Sequence, residues 1–355
     1  MADASTGVSD LSQSGRPAER VWVLDDPRNE DAAQAIGIAE RLGVPFRRVA
    51  LAWTWLAPVG SLAWRGSLLG LAAAGEGRGG TDAPVAPRRR PDGALAAAAG
   101  PVLAFSSDSR SARVALWLKA HAGGRIVHCG PPGLSRRGFD LLVVPRHDQP
   151  PQAANILPVL GVPHRLAPLL LHQARLAWAE RLAHLPRPRV TLLVGGPREG
   201  VFGGAELQPA AAHALGVRVA GLARQAGGAV LALTFRRTGA EATDALAAAL
   251  APALHVLHRW GEPGPDPLAA FLAASDAAVV TGQSETLLSQ ACAIEGPVFL
   301  ALPELAGARE RRLHASLLAA GQVRALGGSL SPWPRRPLDE AGRAAQEIIR
   351  RFAPG

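Results

Sequence analysis

Short apolar runs alternate with helical stretches along most of the 355-residue chain, and that rhythm leaves few folds open. Strand-like runs at 21–24, 46–51, 102–105, 125–129 and 141–144 are separated by helical patterns such as 31–42 and 109–122. Runs with so little polar alternation belong to strands buried on both faces, which means a parallel sheet covered by helices. At 166–185 the pattern predicts one long helix, and Pro186-Arg187-Pro188 breaks it. The alternation then restarts, with strands at 190–194, 229–234, 254–258, 277–281 and 297–302 and helices at 205–225, 240–250, 267–274 and 285–294. The predicted fold class is α/β: two Rossmann-like doubly wound domains facing across a cleft, one at 20–165 and one at 188–337. Residues 1–19 read as a disordered tail, 166–187 as a connecting helix and linker, and 338–355 as an amphipathic helix able to dock on either domain.

Charge excludes less than it first suggests. A net charge of +9 suits an anionic partner, but Lys119 is the only lysine and tyrosine is absent, the mark of a coding bias toward alanine and arginine. No zinc knuckle, aromatic RNA-binding motif or basic heptad array supports nucleic-acid binding. Cys129 and Cys292 are too few for a disulfide framework or a four-cysteine metal site, and the histidines do not cluster at ligand spacings, so no metal and no obligatory cofactor is expected. The first twenty residues lack the apolar stretch of a signal peptide, which points to a cytoplasmic protein. Residues 51–75 carry Trp53, Trp55 and Trp64 but are interrupted by Pro58, Gly60 and Arg65. Such a segment cannot span a bilayer; it packs in a core or lies along a membrane surface. Residues 76–92, rich in Gly, Pro and Arg and ending in Arg88-Arg89-Arg90, read as a mobile loop.

Candidate chemistry sits just after the strands. Gly195-Gly196-Pro197-Arg198 follows one strand and Phe235-Arg236-Arg237-Thr238-Gly239 another, giving close backbone approach and paired guanidinium groups for a phosphate. Thr281-Gly282-Gln283-Ser284-Glu285-Thr286 reads as a strand end, a glycine turn and a capped helix start, where free N–H groups favour an anion. In the first half, Asp25, Asp26, Arg28 and Asn29 crowd one loop and Arg146-His147-Asp148 another. His147 with Asp148 has the composition of a base and its orienting carboxylate, and equally that of an ordinary solvated turn.

Taken together, these stretches resemble the bacterial relatives of the plant mitochondrial-fission (elongated mitochondria) family, whose members look like GT-B glycosyltransferases. The likeness runs from about Val21 to Phe352 through Val21-Trp22-Val23-Leu24-Asp25-Asp26, Trp53-Thr54-Trp55, Pro145-Arg146-His147-Asp148 with Asn155, Gly195-Gly196-Pro197, Arg236-Arg237-Thr238-Gly239, Trp260, Asp276, Thr281-Gly282 with Ser284, and Gly296-Pro297-Val298. The resemblance implies that the second domain holds a nucleotide-diphosphate sugar at Gly195, Gly196, Arg236, Arg237, Thr281, Gly282, Ser284, Thr286 and Gln290. It also implies that the first domain faces an acceptor, with Asp26 or His147 as catalytic base and Asn29 and Asp148 beside them, and that the last helix crosses back to the first domain. Two departures open an alternative: Gln290 stands where the family has an acidic residue, and Pro27 where it has a glycine-containing turn. The alternative is a non-catalytic adaptor with the same shell, peripheral at the inner face of a membrane through its tryptophan-rich segment and arginine run.

Overall fold

Val21 and Val23 face one helical layer and Trp22 and Leu24 the other, all four essentially inaccessible, as a strand buried on both sides requires. This is β1 (Val21–Asp25) of the first sheet. The computed structural model describes residues 20–26, 32–54, 68, 71–77, 101–131, 136–196 and 206–352. The chain divides into two compact units, Met1–Arg165 with Glu340–Gly355, and Leu166–Asp339. Both are α/β with largely parallel sheets.

In the first unit α1 (Ala32–Arg41) leads to β2 (Arg47–Trp53), β3 (Leu71–Gly77), β4 (Leu103–Ser106), α2 (Ser109–Ala122), β5 (Arg125–Cys129), β6 (Leu141–Pro145) and β7 (Ile156–Val159). The described strands are ordered β3-β2-β1-β4-β5-β6-β7. One sheet face packs on α1 and the other on Ala112, Val114, Ala115 and Leu118 of α2. Trp53 lies in that second core, with Arg110 and Arg113 stacked over its ring at 5.9 and 5.5 Å.

Two findings depart from the sequence-based expectation. β3 runs antiparallel to β2, with a register shift at Ala52/Trp53, so Glu76 and Gly77 belong to a strand rather than to the arginine-rich loop. A hairpin-type edge partner needs no crossover helix, and alternation alone therefore does not reveal it. β7 closes the opposite edge and tolerates Pro158 because an edge strand can do without one N–H. Trp55, Trp64, Pro27, Asn29, Arg88–Arg90, Pro197 and Arg198 lie outside the described residues.

The second unit opens with α3 (Pro168–Ala177) and α4 (Ala179–Leu182), two helices meeting at Trp178 where one had been predicted. Then come β8 (Arg189–Val194), α5 (Pro209–Gln225), β9 (Ala229–Thr234), α6 (Ala240–Leu250), β10 (His255–His258), α7 (Leu268–Ala274), β11 (Ala277–Thr281), α8 (Glu285–Ala291), β12 (Val298–Ala301), α9 (Ala308–Ala319) and β13 (Arg324–Ala325). The order is β10-β9-β8-β11-β12-β13, all parallel. Pro209 starts α5, where its missing N–H has no partner to lose. Helices α5 and α6 approach closely because Gly216 has no side chain: a Cβ there would lie 2.7 Å from that of Ala249.

The chain then returns to the first unit as α10 (Glu340–Phe352), which lays Ala341, Ala344, Ala345 and Ile348 against the core that α1 covers. Glu340 accepts from the Leu160 N–H at 2.9 Å, and Arg351 donates to the Ala154 carbonyl at 2.6 Å.

Candidate functional site

In a parallel sheet, ligands gather beyond the carboxyl ends of the two strands between which the strand order reverses. In the second unit that point lies between β8 and β11. There the Gly195 N–H donates to Thr281 Oγ1 at 2.8 Å, joining the two strand ends. Next to them, β9 ends in a 3-10 turn, Arg236–Thr238, whose Thr238 hydroxyl donates to the Val194 carbonyl and accepts from the Phe235 N–H. The turn lies so close to Gly196 that a Cβ on that residue would fall 1.7 Å from the Arg237 carbonyl oxygen. Only glycine fits. Arg236 is exposed and Arg237 half-buried, and the Arg237 guanidinium has no ion-pair or hydrogen-bond partner among the described residues.

The loop after β11 is built more tightly than its sequence implies. The Gly282 N–H continues the ladder to the Ala301 carbonyl at 2.9 Å, so it does not open onto an anion. Its carbonyl accepts from His314 Nε2 at 2.8 Å, and a Cβ at Gly282 would meet the His314 ring at 2.7 Å. Burial holds the His314 pKa below its usual value, which keeps the ring neutral and leaves Nε2–H as the donor. Ser284 caps α8 by accepting from the Leu287 N–H at 3.3 Å. The helix has only seven residues rather than the ten expected, ending at Ala291 where 285–294 had been read. Glu285 pairs with Arg309 at 2.8 Å, Thr286 is exposed, and Gln290 keeps a buried Oε1 without a hydrogen-bond partner among the described residues.

Thr281, Gly282 and Ser284 thus shape the loop and Gly195 adjoins it, with Gly196 and the Arg236–Thr238 turn next along; Thr286 and Gln290 lie in the first and last turns of α8. One residue escaped the sequence reading. Gln283 is 3% exposed, and neither its Nε2 nor its Oε1 has a hydrogen-bond partner among the described residues. A glutamine in a polar turn gives no sign of burial.

The first unit has its own reversal point, between β1 and β4. Asp25 is bound by Arg48 at 2.6 Å, and the buried Asp26 lies 3.6 Å from Arg110. Beyond β4, Asp108 caps α2 and Ser111 reciprocates to the Asp108 N–H. Ser106 Oγ and His128 Nδ1 are 2.9 Å apart, and burial lowers the His128 pKa to about 4. His147, 1% exposed, sits in a turn after β6 with the half-exposed Asp148 next to it. β1 and β6 are three strand spacings apart, about 14 Å. Asp26 and His147 are therefore not brought within hydrogen-bonding reach of each other, and Asn29 lies outside the described residues. Among the described residues no cluster of three metal-ligating side chains occurs, and no helix is long and apolar enough to cross a membrane.

Comparison with known proteins adds three findings. A family model described as "Mitochondrial fission ELM1" matches residues 31–352. The chain is similar to the mitochondrial fission protein ELM1 of Arabidopsis thaliana, 26% identical over 280 residues, which cover 71% of this chain and 64% of that protein, so it spans under two thirds of its relative's length. Among solved structures it is similar to MurG of Acinetobacter baumannii (11% identity, TM-score 0.45, covering 95% of this chain and 92% of that one) and to a UDP-GlcNAc 2-epimerase of Methanocaldococcus jannaschii (10%, 0.47, 93% and 98%).

Proposed function

From the premise that the chain belongs to the mitochondrial fission ELM1 family, we propose a GT-B-type protein whose second unit binds the diphosphate of a nucleotide sugar beyond β8, β9 and β11. The observation that carries this reading is Arg237: a half-buried arginine without a counter-ion among the described residues, held beside the glycine-only approach at Gly196. A planar guanidinium matches two phosphate oxygens at once, and the exposed Arg236 adds a second positive charge next to it. Gln290 is the neutral group offered to a ribose hydroxyl, through an oxygen that lacks a partner among the described residues. In the transferase form of the reading, Asp26 or His147 removes the acceptor's proton.

A second reading, the same shell binding without turnover as an adaptor, is favoured by the state of those two groups. Asp26 lies beside a guanidinium and His147 is buried, so neither is exposed as a base for an incoming hydroxyl. Membrane docking by this adaptor would not use Trp53, which is core.

A thermal-shift panel of nucleoside diphosphates and their sugars tests the nucleotide site. A ligand at a hundred times its dissociation constant adds about 2.7 kcal/mol of stability. Arg237→Ala should abolish the shift and Arg236→Ala should reduce it. Absence of any shift in the unaltered protein overturns the reading; a shift without sugar transfer to any acceptor leaves the adaptor.

A further inference from the structure

Among the described residues nothing satisfies the buried amide of Gln283. A buried polar group left without a partner loses its hydration with nothing in return, and a primary amide has both a donor and an acceptor to satisfy. The neighbours on either side are fixed. Gly282 is held through its N–H by Ala301 and through its carbonyl by His314, and Ser284 is committed to capping α8. The backbone on both sides of Gln283 is therefore fixed, just past the carboxyl end of β11 and next to the reversal point between β8 and β11.

We propose that Gln283 recognises a vicinal diol on a sugar joined directly to the bound diphosphate. This rests on the diphosphate reading above and extends it to the neighbouring group. Phosphate oxygens only accept; they could satisfy Nε2 but would leave Oε1 orphaned. A single partner for both atoms donates and accepts from adjacent positions. Two neighbouring hydroxyls do this, one donating to Oε1 while the other accepts from Nε2. Sugars stand on both sides of a nucleotide-sugar diphosphate, the ribose and the transferred sugar, and both lie closer to it than the base does.

The experiment compares the unaltered protein with Gln283→Met, an apolar replacement of similar length. Pyrophosphate, the nucleoside diphosphate that gives the largest shift in the panel above, its 2′-deoxy form, and the sugar and 2-deoxy-sugar conjugates of that diphosphate are titrated by calorimetry, and the melting temperature of each free protein is recorded. The free Gln283→Met protein should melt at or above the unaltered one, because orphaned polar atoms have been removed. Its affinity for pyrophosphate should be unchanged while its affinity for the diol-bearing ligand falls about tenfold, the loss of two neutral hydrogen bonds. If the ribose is the partner, the 2′-deoxy nucleoside diphosphate binds the unaltered protein as weakly as the parent diphosphate binds the variant; if the transferred sugar is the partner, the 2-deoxy-sugar conjugate binds the unaltered protein as weakly as the parent conjugate binds the variant. A free variant that melts several degrees lower, or full retention of both diol preferences, overturns the role of Gln283 alone. Failure of every probe, pyrophosphate included, to bind the unaltered protein overturns the diphosphate site and this inference with it.

Discussion

Gly195 gives its N–H to the hydroxyl of Thr281 across 2.8 Å, and both residues are buried, so the ends of two adjacent strands are joined by a single side chain. Replacing that hydroxyl with a methyl group leaves a buried N–H without a partner. Thr281→Val should cost about 1–3 kcal/mol in denaturant unfolding, and Thr281→Ser should recover most of it. Equal stability of the valine and serine variants would show that the bond contributes nothing.

Gly196 makes a stricter demand. Its neighbour is the backbone oxygen of Arg237, not a pliable side chain, so Gly196→Ala must displace the Arg236–Thr238 turn. The expected outcome is loss of any diphosphate-induced thermal shift together with a lowered melting temperature. Retention of both would contradict the close approach.

Acid sensitivity should trace partly to His128. Its folded pKa is about 4 against an ordinary 6.5, so the unfolded chain takes up a proton first as the pH drops. Stability is full above pH 6.5, declines between 6.5 and 4, and levels off below that, a total of about 3 kcal/mol from this group. His128→Gln should flatten the slope of unfolding free energy against pH in that window. An unchanged slope would assign the acid response to other groups.

The arginine most deeply engaged in structure is Arg335. Its guanidinium donates to the carbonyls of Cys292, Ile294 and Gly296 at 2.7–3.1 Å, just past the end of α8, and desolvation lowers its pKa. Arg335→Ala should destabilise the protein by about 3 kcal/mol, and Arg335→Lys should rescue little, because an ammonium cannot reproduce the fork. A fully stable lysine variant would reduce the interaction to simple charge.

Much of the fold was readable in the residues because doubly buried strands such as Ala277–Thr281 have almost no polar interruption, and helices such as Ala240–Leu250 stand between them. The elements that escaped did so for physical reasons. The buried stripe of α9 is Glu310, Leu313, His314 and Leu317, half of it polar, which dilutes any hydrophobic periodicity. β3 has the sequence Leu-Ala-Ala-Ala-Gly-Glu-Gly, with no β-branched residue, and takes its strand character from pairing with β2. At the candidate site, the clustering of Gly196, Arg237 and Thr281 could be anticipated from their places after strands. That the Gly282 N–H is already bonded and that Gln283 is buried are tertiary facts, set by Ala301, His314 and the β8–β11 junction.

The helix Glu340–Phe352 completes a unit whose other parts were translated before the entire second unit. During synthesis the stripe of α1 that packs on this helix must therefore wait, uncovered by its eventual partner, until some 170 further residues have emerged. A premature stop anywhere within Leu166–Asp339 would spare every strand of the first sheet and still leave that stripe bare, making such products candidates for chaperone retention and degradation rather than for use as autonomous domains.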